Sequence, residues 1–341
     1  MKFNEYIESN RGGVYSTICR YLPIREPEEH YRIAREYTDR QGSYRRPGLL
    51  LLSSEMFGAK PGEALLPAAA MQLSEDWILV HDDVEDNSEL RRGKPALHKL
   101  YGPEIAINAG DAAHIAMWRI LKDYMIGVKD GRGNLLYEKF YDMMEKTVEG
   151  QYIETNFIYN SQDLSKATEG LYLKIIESKA AYYSVYGPLQ LGAISAGITP
   201  GKQLDALKDV GMPAGLAFQI MDDILDMTAD EKVFGKKRYG DLYEGKLTLI
   251  IYHTFQSASD AEKEKINAIY KKRREAKTED DISFLADMIG RHGGIEYARA
   301  FAERYSNSAN EMLEKHRDAI PSNEKSEMLI SALESLYKRS K

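Results

Sequence analysis

Aspartate residues are concentrated in two short motifs, each of which closely follows an apolar stretch. The first motif, Asp-Asp-Val-Glu-Asp at 82–86, follows residues 77–80, and the second, Asp-Asp-Ile-Leu-Asp at 222–226, follows residues 216–221. Carboxylates placed this close together repel one another and take up protons unless a cation offsets their charge. Oxygen ligands suit magnesium, which usually completes its coordination shell with water and substrate phosphates. The motifs therefore predict a magnesium site that binds a diphosphate beside an apolar cavity.

Helical spacing would allow the aspartates of each motif to act together. Residues four apart lie on one face of a helix, so Asp82 and Asp86 share a face and Asp83 lies about 100° round from Asp82. One such motif could occur by chance on a solvated helix, but two copies behind apolar stretches favour a metal site whose halves face each other. The predicted metal ligands are Asp82, Asp83, Asp86, Asp222, Asp223 and Asp226.

Basic residues follow both acidic motifs. Arg91-Arg92-Gly93-Lys94 comes after the first motif, and Lys236 and Lys246 come after the second. Guanidinium and ammonium groups bind phosphate oxygens through charge-assisted hydrogen bonds. Surface ion pairing could explain any one of these cations, but their position after both motifs favours phosphate binding.

The elements that must position these residues are predicted to be helices. Apolar residues recur at three- and four-residue spacing, whereas strand-like alternation is scarce. No low-complexity linker divides the chain, so we expect one all-α domain over residues 1–341, a helical bundle around a central apolar cavity. Gly187-Pro188 predicts a kink, and the charge-rich residues 258–282 predict an exposed helix and loop. The predicted helical segments are 47–59, 64–81, 104–125, 136–158, 165–197, 203–227 and 243–257.

Composition and charge argue against several classes of protein. A formal net charge of −7, from 46 basic and 53 acidic residues, argues against nucleic-acid binding. The single cysteine, Cys19, cannot form an internal disulfide, which favours a reducing compartment. The first residues carry no secretory apolar segment, and no apolar run approaches the ~18 residues of a membrane span. We therefore expect a cytoplasmic protein without stable membrane insertion.

Taken in order, these motifs resemble the signature of the trans-isoprenyl diphosphate synthases, which have the isoprenoid synthase type I fold. The resemblance runs from about Gly42 to Lys246. The first acidic motif has two residues between its aspartates, as in archaeal geranylgeranyl and eukaryotic-type farnesyl diphosphate synthases. The matching residues are Asp82 to Gly93, Gly110-Asp111, Gly150-Gln151, Lys179, Phe218 to Asp226, and Lys246.

The resemblance implies a magnesium-dependent prenyltransferase that condenses isopentenyl diphosphate with an allylic diphosphate and releases diphosphate. It implies three magnesium ions on the six aspartates, ionisation of the allylic substrate, and attack by the isopentenyl double bond. Metal ions and fixed cations would stabilise the leaving diphosphate, and an apolar wall would keep water from the allylic cation. The implied catalytic residues are the six aspartates and Lys179, and the implied allylic diphosphate-binding residues are Arg91, Lys179, Gln219, Lys236 and Lys246.

The implied isopentenyl diphosphate site departs from the family's pattern. The family's basic motif is represented by residues 41–47, in which Ser43 stands where lysine is usual and Arg46 is retained. Glu75 stands where histidine or glutamine is usual, and it adds a negative charge if it is ionised. Compensation could come from neighbouring arginines and from the basic terminal residues 337–341. The predicted isopentenyl diphosphate-binding residues are Ser43, Arg46, Glu75 and Arg92.

Residues that precede the first acidic motif are expected to set product length. Trp77 lies five residues before Asp82, about 7–8 Å further along the helix. One large aromatic beside a medium aliphatic residue resembles the archaeal C20 pattern, so geranylgeranyl diphosphate is the expected product and farnesyl diphosphate the next. Alternatively, Trp77 packs only in the core. The predicted floor of the product cavity is Trp77, Ile78 and Ser74.

Other interpretations remain open at this point. A class I terpene cyclase shares the ionisation step, but such cyclases usually carry an Asn/Ser/Glu-type second motif where this chain repeats aspartates. A non-catalytic or altered-specificity synthase subunit is favoured by Ser43 and Glu75 and opposed by the complete aspartate motifs. The resemblance also implies a homodimer, for which segments 104–125 and 136–158 could supply the interface.

Overall fold

Local sequence signals set where several helices begin and end. The structure is a computed structural model that describes residues 1–229 and 238–337. Thr278 with Asp281 forms a capping box that begins one helix, and Gly293, with φ 69°, ends it in the left-handed conformation. Pro103 occupies the first turn of another helix, directly after Gly102. These signals set the start of both helices and the end of the helix that begins after Thr278.

The first part of the chain is helical except for one small hairpin. Its helices are α1 (Phe3–Tyr21), α2 (Glu28–Asp39), α3 (Arg45–Met56), α4 (Leu65–Glu85), α5 (Leu97–Tyr101) and α6 (Pro103–Gly127). Between α4 and α5, strand β1 (Leu90–Arg91) pairs antiparallel with β2 (Lys94–Pro95). The connecting residues, Arg92 and Gly93, both have positive φ, 54° and 75°. This tight turn fixes the two arginines a few residues after the first acidic motif.

The remaining described residues are also helical. The helices are α7 (Arg132–Asn156), α8 (Glu169–Ile176), α9 (Gly187–Ser195), α10 (Lys202–Thr228), α11 (Gly240–Glu244), α12 (Leu249–Ser257), α13 (Asp260–Tyr270), α14 (Glu279–His292), α15 (Gly294–Lys315) and α16 (Glu324–Tyr337). Phe157–Ser161 and Glu177–Tyr186 are π-helical, and Leu164–Lys166 and Arg274–Ala276 form 3₁₀ turns. Among the described helices, none is long and apolar enough to cross a membrane.

The chain contains two compact units. Unit one comprises Met1–Met143, Ser184–Asp209 and Leu313–Leu333, and unit two comprises Met144–Tyr183, Val210–Met312 and Glu334–Lys341. The first acidic motif belongs to unit one and the second to unit two. The expectation of one domain over 1–341 stays a prediction.

In unit one, helices α3, α4, α6 and α9 bury the residues that support the first acidic motif. Leu49–Leu52 of α3 and Ala68–Met71 of α4 are buried, and α4 packs along α6. Helix α9 approaches α3 so closely that a Cβ on Gly192 would lie 2.2 Å from the carbonyl oxygen of Leu50. Only glycine permits this separation, because a methyl group there would overlap the backbone.

In unit two, helix α10 is anchored by apolar residues within the second acidic motif and just before it. Ile220 and Ile224 are buried in a cluster with Ile251 of α12 and Leu285 of α14. These apolar contacts exclude water and fix the rotation of α10 about its axis. The carboxylates of the second acidic motif are therefore held at the edge of an apolar core, as the sequence predicted.

The structure confirms the all-α prediction and corrects some of its details. Segment 64–81 extends to Glu85, so that Asp82 and Asp83 lie in α4 while Asp86 directly follows it. Regular α-helical hydrogen bonding gives way to π-helical bonding over Glu177–Tyr186, directly before the predicted kink. The prediction of a merely exposed segment at 258–282 is wrong, because Ile266, Ile269 and Tyr270 are buried.

Candidate active site

The middle aspartate of the first acidic motif is fully buried and is held by two side chains. The Tyr37 hydroxyl donates a 2.5 Å hydrogen bond to Asp83 Oδ2, and Arg91 Nε lies 3.0 Å from both carboxylate oxygens. A buried carboxylate is tolerated when a cation and hydrogen-bond donors offset the loss of water. Asp83 therefore positions the motif, whereas its neighbour Asp82 is only partly buried.

Arg91 also lies near the first aspartate of the motif. Its Nη2 is 3.6 Å from Asp82 Oδ2, and the β1–β2 turn holds its backbone. A guanidinium group has five N–H donors in a fixed plane, so it can bind a carboxylate and a phosphate together. The structure therefore brings together Asp82, Asp83 and Arg91, three of the residues that the sequence singled out.

The second acidic motif has the same arrangement at its middle aspartate. The buried Tyr172 hydroxyl donates a 2.7 Å hydrogen bond to Asp223 Oδ2, and Gln219 Nε2 donates a 2.9 Å bond to Oδ1. Burial raises the pKa of Asp223 to about 7, although both hydrogen bonds oppose the shift. Gln219, predicted to bind the allylic diphosphate, therefore also holds the motif in place.

The last aspartate of the second motif contacts the start of α11. The backbone N–H of Asp241 donates a 3.1 Å hydrogen bond to Asp226 Oδ2, and a Cβ on Gly240 would lie 3.0 Å from Asp226 Oδ1. Burial and the nearby Asp226 raise the pKa of Asp241. Asp241 is therefore a further, partly buried carboxylate beside this motif, and sequence spacing did not select it.

Lys179 is held by an acidic residue of α7. Its Nζ lies 2.5 Å from Glu154 Oε2. The backbone around it is equally close to α7, because a Cβ on Gly150 would lie 2.6 Å from the backbone nitrogen of Lys179. Glycine at position 150 is therefore required for the approach of the π-helical segment that carries the predicted catalytic lysine.

Lys246 is held through a second acidic residue. Its Nζ lies 2.7 Å from Glu244 Oε2, and Arg274 Nη1 lies 2.5 Å from Glu244 Oε1. Burial acts to raise the pKa of Glu244, but Lys246 and Arg274 together lower it. Glu244 therefore stays ionised and links Arg274 to Lys246. Lys236, the other predicted cation after the second motif, lies outside the described residues.

A buried lysine supports the loop that carries Lys246. Lys277 Nζ donates hydrogen bonds of 2.8 and 3.0 Å to the carbonyl oxygens of Leu242 and Tyr243. These carbonyl groups lie near the C-terminal end of the short helix α11, where helix carbonyls lack partners within the helix. The Tyr270 hydroxyl donates a 3.1 Å bond to the Lys246 carbonyl oxygen. The segment that the sequence predicted to be exposed therefore supports a predicted binding residue. The charged residues of this segment did not reveal that part of it is buried, because a buried lysine and a solvated one look alike in a charge-rich sequence.

Three of the four residues predicted to bind isopentenyl diphosphate, Arg46, Glu75 and Arg92, form one charged group in unit one. Arg46 Nη1 lies 3.2 Å from Glu75 Oε2, and Arg92 Nη2 lies 3.8 Å from Glu75 Oε1 and 2.8 Å from Asp76 Oδ1. Asp76, which the sequence did not select, is buried; burial raises its pKa and Arg92 opposes that shift. Ser43 is exposed.

Trp77 packs against a histidine of the neighbouring helix α6. The ring centroids of Trp77 and His114 are 4.5 Å apart, and Trp118 Nε1 donates a 2.8 Å hydrogen bond to His114 Nε2. Of the other predicted floor residues, Ile78 is partly buried and Ser74 is buried. The predicted floor residue Trp77 is therefore supported by rings on α6 that the sequence did not link to it.

The acidic side chains fit a hard divalent cation in their chemistry. They supply only oxygen ligands, as magnesium prefers, and a buried carboxylate with a raised pKa, such as Asp223, is stabilised in its ionised form by a nearby cation. Within residues 1–229 and 238–337, no three acidic, histidine or cysteine side chains already stand at metal-binding positions. The assignment of six aspartate ligands stays a prediction.

Replacing Tyr172 by phenylalanine should lower the free energy of unfolding by about 1–3 kcal/mol, because the buried Asp223 loses a donor. Urea unfolding followed by circular dichroism would measure the change. Tyr297→Phe is the matched control, since Tyr297 donates a hydrogen bond of the same 2.7 Å length to Glu169 from a partly exposed position. Equal losses in the two variants would contradict the special role of the buried bond.

Lys277 should make stability depend on pH above neutrality. Burial lowers its pKa from 10.5 to about 8, although Glu244 opposes the shift. The unfolded chain then binds this proton more tightly than the folded chain, so the contribution of Lys277 to stability rises between pH 8 and 10.5. The difference in unfolding free energy between wild type and Lys277→Met should therefore shift in favour of wild type across this range. A level or falling difference would show that burial does not lower the pKa of the Lys277 amine in the folded protein.

Comparison with known proteins identifies the family and the relatives that this chain resembles. The sequence model of the family described as polyprenyl synthetase matches residues 27–288. A short chain isoprenyl diphosphate synthase from Methanothermobacter thermautotrophicus is 34% identical over 291 residues, which cover 84% of this chain and 85% of the relative. A geranylgeranyl diphosphate synthase from Methanosarcina mazei is 32% identical, with 93% of each chain covered.

Solved structures show the same fold. The crystal structure of geranylgeranyl pyrophosphate synthetase from Pyrococcus horikoshii matches with a TM-score of 0.85 at 29% identity, covering 99% of this chain and 98% of that one. The family match spans well over half of the sequence, and the predicted resemblance is confirmed. With its helical fold, its two aspartate motifs and these relatives, the chain belongs to the polyprenyl synthetase family and is a prenyltransferase.

Proposed function

We propose that this prenyltransferase condenses isopentenyl diphosphate with an allylic diphosphate and releases diphosphate. The observation that carries the proposal is the pair of acidic motifs, in each of which a buried tyrosine and a second donor fix the middle aspartate. A fixed carboxylate motif needs little reorganisation when charge develops on a leaving group. The isoprenyl and geranylgeranyl diphosphate synthases among its relatives support the same reaction.

The two aspartate motifs supply the ligands of the magnesium ions in this proposal. Asp82, Asp83, Asp86, Asp222, Asp223 and Asp226 would hold the ions, three of which are expected from the resemblance, and the middle aspartates, Asp83 and Asp223, also hold the motifs in place. When bound, magnesium supplies positive charge that stabilises the leaving diphosphate.

The cations near the motifs bind the allylic diphosphate. Arg91, Lys179 and Lys246 each already contact a carboxylate, which sets the position of the charged group before substrate arrives. Gln219, on α10, donates a hydrogen bond to the allylic diphosphate. Lys236, which lies outside the described residues, is also proposed to bind this diphosphate. Arg46 and Arg92 bind the isopentenyl diphosphate, with Glu75 between them and Ser43 at the rim.

Chromatography of reaction products would test the proposed reaction directly. Purified protein is incubated with magnesium, isopentenyl diphosphate, and dimethylallyl, geranyl or farnesyl diphosphate in separate reactions. Elongated prenyl diphosphates are the expected result. Cyclic hydrocarbons would instead indicate a terpene cyclase, and the absence of any product would indicate a non-catalytic subunit.

Replacing Asp82 or Asp222 by asparagine should lower turnover at least about a hundredfold, because each change removes a charged ligand from the metal site. Steady-state rates at saturating substrates would measure the effect, and chelation with EDTA should abolish turnover in the wild type. Asp205→Asn, which changes an exposed aspartate of the same helix α10, is the matched control and should keep the wild-type rate. A full rate in either site variant would remove that residue from the proposed site.

Geranylgeranyl diphosphate is the proposed product, with farnesyl diphosphate next, because Trp77 would end the cavity that receives the growing chain. Trp77→Ala should therefore lengthen the product by at least one isoprene unit, as a large buried side chain is removed. Trp77→Phe keeps an aromatic ring and should keep the product. Unchanged products in the alanine variant would show that Trp77 serves only as packing.

We also propose a homodimer formed through α6, in the cytoplasm. Ile115 and Ile126 are 69% and 62% exposed, and their spacing of three helical turns places them on one face. Exposed apolar residues that share a face are typical of protein interfaces. Ile115→Glu with Ile126→Glu should convert a dimer to a monomer in sedimentation velocity. Ile24→Glu, at an exposed isoleucine elsewhere, should not, and a wild-type monomer would contradict the proposal.

A further inference from the structure

The side chain of Arg11 extends from α1 to the loop that precedes α3. Its Nη1 donates a 2.7 Å hydrogen bond to the carbonyl oxygen of Gly42, and its guanidinium carbon lies 4.7 Å from the centroid of the Tyr44 ring. Arg92 reaches the same glycine, since a Cβ at position 42 would lie 2.6 Å from Arg92 Nη2. Two guanidinium groups therefore converge on Gly42, which is followed directly by the exposed Ser43.

The two arginines differ in how firmly their counter-ions are held. Arg92 pairs with Asp76, whose side chain is only 3% exposed. Arg11 pairs with Glu8, at 2.5 Å between Nη2 and Oε1, but the Glu8 side chain is 63% exposed. An ion pair whose carboxylate stands in water contributes little to stability and can be exchanged for another anion. Arg11 can therefore release Glu8 far more readily than Arg92 can release Asp76.

The charged group beside Gly42 is close to neutral in the free protein. Arg46 contacts Glu75, and Arg92 contacts both Glu75 and Asp76. A multiply charged diphosphate placed against these residues would meet two carboxylates as well as two cations, and the carboxylates would oppose its binding. A further cation with an exchangeable partner would strengthen that binding, and Arg11 contacts the loop that holds Gly42.

We propose that Arg11 is a further binding residue for the diphosphate of the isopentenyl substrate, and that it exchanges Glu8 for this anion. The inference rests on the proposed function, because it takes Arg46 and Arg92 to bind that diphosphate. The cation–π contact with the buried Tyr44 ring keeps the guanidinium at the loop while its partner changes. Arg11 lies about 70 residues before the first acidic motif, and α1 carries no motif that would single it out.

Steady-state kinetics of Arg11→Met tests the proposal. At saturating allylic diphosphate and magnesium, KM for isopentenyl diphosphate should rise about tenfold or more, which corresponds to the loss of one charge-assisted hydrogen bond. The KM for the allylic diphosphate should stay within about twofold of wild type, since the contacts of Arg11 are with Glu8, Gly42 and Tyr44 and not with the residues proposed to bind that diphosphate. Arg25→Met is the matched control, because Arg25 also stacks 4.7 Å from a tyrosine, Tyr31, at an exposed position. An unchanged KM for isopentenyl diphosphate in Arg11→Met would overturn the proposal.

Two further variants separate substrate binding from support of the loop. Glu8→Gln removes the competing carboxylate and should lower KM for isopentenyl diphosphate, whereas a purely structural arginine predicts an unchanged or higher KM. Ser43→Lys, introduced into Arg11→Met, places an ammonium group beside Gly42 and should restore most of the lost affinity. Failure of that rescue together with an unchanged KM in Glu8→Gln would assign Arg11 to loop support. Absence of turnover in the wild type would instead contradict the proposed function itself.

Discussion

A hydrogen bond from a buried tyrosine to the middle aspartate recurs in both acidic motifs, and the geometry of each motif depends on it. Tyr37 donates to Asp83 in unit one, and Tyr172 donates to Asp223 in unit two. Burial raises the pKa of Asp223, and the hydrogen bond from Tyr172 opposes that shift. With the donor, the middle aspartate fixes the helix position from which its neighbours project.

Three cations that are proposed to bind the allylic diphosphate are also held in place, each by a carboxylate. Lys179 is held by Glu154, Lys246 by Glu244, and Arg91 by Asp83. The cost of ordering these long side chains is met during folding, so less of it falls on substrate binding. In the proposed reaction, charges that are already fixed need to move little when the diphosphate leaves, and fixed charges accelerate such reactions. Glu75 and Asp76 hold Arg46 and Arg92 in the same way, which leaves two carboxylates beside the residues proposed to bind isopentenyl diphosphate.

Much of the fold could be predicted because the apolar spacing of a helix is visible within a short stretch of sequence. The apolar spacing of segments 104–125 and 203–227 predicted α6 and α10 to within a few residues. The end of α4 was less predictable, since Asp82 and Asp83 continue the helix although they break its apolar pattern. The burial of the charge-rich residues 258–282 was not predicted either. The burial of Tyr270 and Lys277 depends on partners about 30 residues earlier in the chain.

The sequence by itself determined the helical class, the two aspartate motifs and the basic residues that follow them, because residue type and short-range spacing suffice for these. Only the tertiary structure decided which side chains hold each charge. Tyr37 and Tyr172 lie 46 and 51 residues from the aspartates they contact, and Arg11 lies 31 residues from Gly42. Contacts over such distances form when packing of helices brings the side chains together, and no local pattern encodes that packing.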